Sequence, residues 1–588
     1  MEPTPVEVVF TIPELLAHIL GFLALRDVPA VRRTCHAWNA APFRVQCTRD
    51  DRQRVQRRAS QCIGHDDLTG LAAAVARVDL ASAARLARKQ LLAEACRHGH
   101  LAAAQWLDAT FELVAANARR GYNIAFRMAC ASGHLPLVRW LAVRFGLGLH
   151  DIQDLDNGAL RRACAGGHLA VAQWLADHFR LTTSDARSRV NYALRRACWR
   201  GDLALARWLA ERFGLTKADA RCNDNDALHG ACAGGHRALA RWLANRFGLE
   251  LTDVRAVENR ALRSACAGGH LVMAQWLADR FGLSAMDIRA DGYSALHHAC
   301  RRGHLKLVKW LAIRSRMTAA NARGWNIYAL FQACEGGHVA VARWFTDHFA
   351  LAPAEARRGN DSALQWAARG GSRAVAEWLA GRFDFAPADA VRALPVACRH
   401  GHLALAQWLV DHFRLSAAAV RGVAGDALQA ACFGGHLALA RWLVGCFELT
   451  AAGACCATAL RSACEGGHLA LARWLAGHFG LTTAGIREQD NSILRETCRR
   501  GKLAVVKWLV GRFGLTAADA RSERNYALCW ACWNDHLGTA QWLVDHFGLT
   551  ATDAYGLMRA ARQRGNWNIE RWLAARFGLP SVDDDDDE

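Results

Sequence analysis

Residues 159–182 read ALRRACAGGHLAVAQWLADHFRLT, and nearly the same words return along most of the chain. The Trp in them serves as a ruler. It recurs every 34 residues from Trp106 to Trp378, then at Trp408, Trp442, Trp474, Trp508, Trp542 and Trp572. Fifteen copies at so regular a period are the mark of a solenoid, in which each unit touches mainly its neighbours. The question is whether the recurring Cys, Gly-Gly-His and Trp carry chemistry or only build the stack.

One unit resolves into two helices. NYALRRACWRG (191–201) predicts the first, with Asn191 placed to cap it. Asn157, Asn225, Asn259, Asn491 and Asn525 hold the same phase. DLALARWLAERFG (202–214) predicts the second, with Leu205, Ala206, Leu209 and Phe213 on one stripe at helical spacing. Gly214 ends it, and Thr216 offers a cap for one further helical turn.

The unit resembles the ankyrin repeat. The nearest copy is ADGYSALHHACRRGHLKLVKWLAIR (290–314), which carries Gly292, Ser294, Leu296, His297, Ala299, Gly303, His304, Val308 and Leu311 in order. The resemblance runs over residues 91–580. Two departures stand out: Ala replaces the usual Pro in most copies, and the β-hairpin segment reads FGLTAADAR (513–521) instead. The expected fold is therefore all-α: an N-terminal F-box-like segment, taken up below, and an α-solenoid of about 15 ankyrin-like helix–turn–helix repeats. Helical turns are expected where ankyrin hairpins would stand.

The Cys falls four residues before the His position, as in Cys164/His168 and Cys232/His236. Two Cys-x-x-x-His pairs supply enough ligands for zinc. Stacked helices lie roughly 8–10 Å apart, however, too far for thiols of neighbouring units to share an ion. Disulfides, which need Cα atoms within about 7 Å, fail on the same ground. Core packing is the better reading for the Cys. Asp202, Ser372 and Lys502 replace the His in some copies, so no shared proton chemistry is expected, only a hydrogen bond across the turn. The Trp is read as filler between units. No P-loop, HExxH or nucleophile elbow occurs, so no enzyme, cofactor or metal is expected.

Residues 11–41, TIPELLAHILGFLALRDVPAVRRTCHAWNAA, leave the repeat. Leu15, Leu16, Ile19, Leu20 and Leu23 form an amphipathic stripe, and Pro13 suits a helix start. A helical segment this small gains from docking on a partner. The stretch resembles an F-box, with Ile12, Pro13, Glu14, Leu15, Leu16, Ile19, Leu20, Leu23, Asp27, Val28, Cys35 and Trp38 in register. The resemblance implies that Pro13, Glu14, Leu15, Leu16, Ile19, Leu20, Leu23, Val28 and Trp38 bind the Skp-type adaptor of a cullin–RING ubiquitin ligase. An F-box ahead of many ankyrin-like repeats is an arrangement also found in large DNA viruses, which implies action on a host ligase. The expected domains are 8–48 (F-box-like), 49–90 (basic linker and degenerate capping repeat), 91–580 (repeat array) and 581–588 (acidic tail).

The formal charge is +19, and the DDDDDE tail (583–588) contributes −6, so the remainder carries about +25. That balance motivates a nucleic-acid reading. Against it, the period offers no regular basic-plus-aromatic code. The acidic N-terminus is no secretory signal, and 21 cysteines without one are expected to remain thiols in the cytoplasm or nucleus. No stretch reads as a membrane span. A monomer apart from its partners is expected. The two positions before Ala-Cys vary while core positions hardly change. Arg161, Arg195, His229, Arg263, His297, Phe331, Trp366, Arg495 and Trp530 are thus the candidate contacts to an unidentified target protein, on a face expected to be exposed.

Overall fold

Alternating Leu and Ala at helical spacing give each unit an apolar stripe narrow enough for close helix packing. In the computed structural model Ser188–Arg200 (α1) and Leu203–Arg212 (α2) form one pair. Lys217–Ala233 (α3) and Arg237–Phe247 (α4) form the next, followed by Leu251–Ala267 (α5). Each first helix packs on its own partner and on the first helices before and after it: α3 touches α1, α4 and α5. Leu194, Cys198, Leu205, Ala206, Leu209 and Phe213 are buried between them. A fully buried Leu contributes roughly 2–3 kcal/mol.

The structure describes residues 57, 59–65, 67–75, 90–323, 327–357, 362–416, 424–449, 455–554, 557–558, 561 and 564–578. The F-box-like segment, most of the linker and the acidic tail lie outside them. The described part of 49–90 includes one helix, Leu68–Val75. The chain divides into two compact units, Met1–Asp291 and Gly292–Glu588, whose described residues are mostly such helix pairs. Among the described residues there is no strand. None of their helices is long and apolar enough to cross a membrane.

The segment that replaces the ankyrin hairpin is helical, as FGLTAADAR predicts, and it kinks. Within α3, Asn223, Asp224 and Asn225 are left-handed, with φ of 54°, 57° and 60°. Residues 155–157, 189–191 and 257–259 do the same. Asn and Asp tolerate this region best, which accounts for the Asn at the third place.

That Asn is not the helix cap the sequence implied. It sits in the left-handed region rather than the extended one a cap needs, and its amide donates forward to the next repeat. Asn191 Nδ2 reaches Asp219 Oδ1 at 3.1 Å, and Asn225 and Asn259 reach the carbonyls of Asp253 and Asp287 at 3.2 and 3.0 Å. The Asn oxygens at these positions accept no hydrogen bond from a helix N–H.

Candidate protein-interaction surface

The Gly-Gly-His words join repeat to repeat. Gly133 is left-handed (φ +81°), and a Cβ there would sit 2.3 Å from the ring of His168 in the next unit. The ring lies on the glycine while its Nε2–H donates to the Ala131 carbonyl at 2.9 Å. The last carbonyls of a helix have no partner within it, and the His supplies one. His270, His338, His402, His436, His468 and His536 repeat this bond at 3.0–3.2 Å. The expected bond across the turn is therefore a bond across the repeat boundary. Asp202 and Ser372 instead cap their own helices, accepting from the N–H groups of Leu205 and Val375.

The recurring Cys is core: Cys198, Cys232 and Cys266 are fully buried free thiols. Burial pushes the Cys432 and Cys532 thiols up to about 12, which leaves them protonated and poorly nucleophilic at neutral pH. Among the described residues no group of three or more metal-ligating side chains forms. The Trp differs from the expectation of interior filler. Most copies are only half-buried, set edge-on to the Phe five residues later, as Trp208 is to Phe213 at 5.7 Å.

The arginines of the kinked segment are also structural. Arg187 grips Asp219 through two hydrogen bonds of 2.8 and 2.9 Å, and Arg255 and Arg487 grip Asp287 and Asp519 alike. The same Asp accepts the N–H of the Thr or Ser that starts its turn, as from Thr216 at 2.8 Å. The Arg255 guanidinium, against the effect of burial, holds Asp287 down to about 2. Part of the positive charge is thus committed to joining repeats.

The varying first-helix positions line one face, but less openly than expected. His229, Phe331 and Trp366 are buried, whereas Arg161, Arg195, Arg263, His297, Arg495 and Trp530 are half-buried. Three of the arginines brace the left-handed kink. Arg161 donates to the carbonyls of Asp156 and Leu155, Arg195 to that of Val190 and Arg263 to that of Val257. Arg195 also pairs with Asp226 at 2.9 Å. Burial alone would raise Asp226, but His229 and Arg195 outweigh it and hold the carboxyl at about 2.

In the second unit the face is aromatic. Phe331 stacks on Trp366 at 6.1 Å, and Tyr328 meets both His297 and Trp366 edge-on. Arg369 lies 4.3 Å over Trp366. Further along, Arg495 covers Tyr526, and Trp530 sits between Tyr526 and Trp533. The more exposed aromatic side chains near this face are Trp199, Tyr328, Tyr526 and Trp533, none of them among the candidates. They stand six before or one after the Cys, one helical turn from the varying pair. Helical spacing from the candidates would have found them.

These contacts define a helical solenoid whose unit is a helix pair joined to the next by core, carbonyl and ion-pair contacts. Within it, residues 126–176 match the family model of ankyrin repeats in many copies, and residues 249–323 match that of ankyrin repeats in three copies. Those stretches are similar to ankyrin repeats. No curated protein matches the chain. Among solved structures, a circular tandem repeat protein with novel repeat topology and enhanced subunit contact surfaces aligns at 16% identity. That alignment covers 89% of this chain and 96% of the other, at a TM-score of 0.10, too poor a superposition to define a shared shape.

Proposed function

We propose that the chain is a non-catalytic adaptor that brings a target protein to a cullin–RING ubiquitin ligase. Residues 12–38 would hold the Skp-type subunit, and the first-helix face would hold the target. The observation that carries this reading is the in-register F-box-like pattern from Pro13 to Trp38 ahead of the ankyrin array. Tethering raises the local concentration of target near the transferring enzyme, so the chain itself performs no bond chemistry. Tyr328, Tyr526 and Trp533 supply rigid aromatic area of the kind that anchors protein interfaces. The nucleic-acid reading is weaker, because arginines such as Arg187, Arg255 and Arg487 are engaged with Asp.

Affinity purification of the chain from a eukaryotic lysate, read by mass spectrometry, should recover the Skp-type subunit. The triple variant Pro13→Ala, Leu15→Ala, Leu16→Ala should lose it with the helical circular dichroism unchanged. Full recovery by that variant would remove the ligase from the proposal.

A further inference from the structure

In the second unit the ends of paired helices in four successive repeats border an open groove of about 550 Å³. Its walls include Glu465, His468, Arg499, Arg500, Lys502 and His536. Here the chain departs from its own pattern: most copies end this turn in Gly-His, whereas residues 500–502 read Arg-Gly-Lys. The Lys502 stem lies where the ring usually does, so that a Cβ on Gly467 would meet its Cδ at 2.8 Å. Unlike the histidine rings, the Lys502 ammonium makes no hydrogen bond or ion pair among the described residues, and the Arg500 guanidinium makes no direct side-chain bond but feels the charge of Glu465. His468 and His536 keep their bonds to the carbonyls of Phe433 and Arg499 and fix the groove's edges.

We infer that this groove binds an acidic peptide segment of a partner protein. The wall presents three cations against one carboxylate, so it is complementary to negative charge. Arg499 is paired with Glu496 and Arg500 is attracted by Glu465, which leaves Lys502 as the cation without an internal partner among the described residues. Glu465 supplies an acceptor for a peptide N–H, which a string of phosphates lacks. Phe433, the phenyl ring in the groove's lining, already has Arg399 over it at 5.0 Å, leaving it poorly suited to stack a nucleic-acid base. A peptide carrying carboxylates matches both the donors and the acceptor. The inference rests on the protein-binding reading above, but on a different surface from the first-helix face.

The test is fluorescence anisotropy of the full chain with a fluorescein-labelled peptide of six glutamates at 150 mM salt. Arg500→Glu with Lys502→Glu should weaken binding about tenfold or more, and the milder Arg500→Gln with Lys502→Gln should weaken it less. Glu465→Gln should tighten it. A control pair of exposed cations in the first unit, Arg139→Glu with Arg241→Glu, should leave it unchanged. Equal weakening by the control pair, or a hexanucleotide RNA that binds more tightly with the same sensitivity, would overturn the inference. The assay contains neither ligase nor target, so its failure leaves the adaptor reading standing. Loss of the adaptor in the lysate experiment would likewise leave this assay readable.

Discussion

At the scale of single residues, the recurring glycine and histidine act as a pair. Gly133 is left-handed and lies under the His168 ring, whereas Gly146 is left-handed (φ +55°) with nothing within 4 Å of its would-be Cβ. The two positions therefore separate backbone strain from lost packing. Gly146→Ala should cost about 1 kcal/mol, the usual penalty for a side chain in this region. Gly133→Ala should cost roughly 2–4 kcal/mol, because the ring must also move and leave the Ala131 carbonyl unpaired. Urea denaturation of the two variants measures the gap, and equal losses would show that the ring contact contributes nothing. The sequence made the recurrence of these residues plain but not its reason. The partner of His168 is a backbone carbonyl 37 residues earlier, and a carbonyl has no letter. The Cys was readable because small, buried and unpaired is its ordinary state. Arg161 and Arg195 carry a bracing role that helical periodicity does not register, since their acceptors are carbonyls of the left-handed kink.

At the scale of elements, the segment Thr-x-x-Asp-x-Arg links successive units at one edge. Thr216 begins the turn, Asp219 closes it and also receives Arg187 from the repeat before, and Arg221 goes on to Asp253. The helical turn was legible from Thr216 alone. The link was not, although Arg and Asp recur in register 32 residues apart, because either could have been a solvated charge. This link has a pH signature. The usual carboxyl value is near 3.8, and folding lowers Asp219, Asp287 and Asp519 to about 2. A group whose folded value is depressed stabilises the fold above its unfolded value and ceases to do so as pH falls through the folded one. Stability should thus be level above about pH 5 and decline from about pH 4 toward pH 2, by roughly 2 kcal/mol per such Asp. Urea midpoints across that range test it, and Asp287→Asn should flatten the decline while lowering the plateau. A decline confined to pH 5–7 would point to the histidines and against the Asp links.

At the scale of the whole molecule, repetition of local contacts sets how disturbance travels. In the first unit α3 rests on its own partner and on the first helices of the neighbouring repeats, and the His, Asn and Arg links each reach one repeat only. Long-range contacts that would make the unit melt as one body are not among these links. A stack of this kind behaves as a one-dimensional chain of intrinsic and nearest-neighbour terms. Local damage should therefore stay local. Gly133→Ala loosens the junction between Ala115–Ser132 and Leu169–His178. Its amides there should lose hydrogen-exchange protection by a factor set by the 2–4 kcal/mol penalty, roughly 30- to 1,000-fold. The loss should fade over about two repeats, leaving α4 and α5 protected as in the parent chain. A uniform loss from Leu92 to Phe281 would show instead that the first unit opens all at once, and would require coupling beyond nearest neighbours that these junctions do not supply.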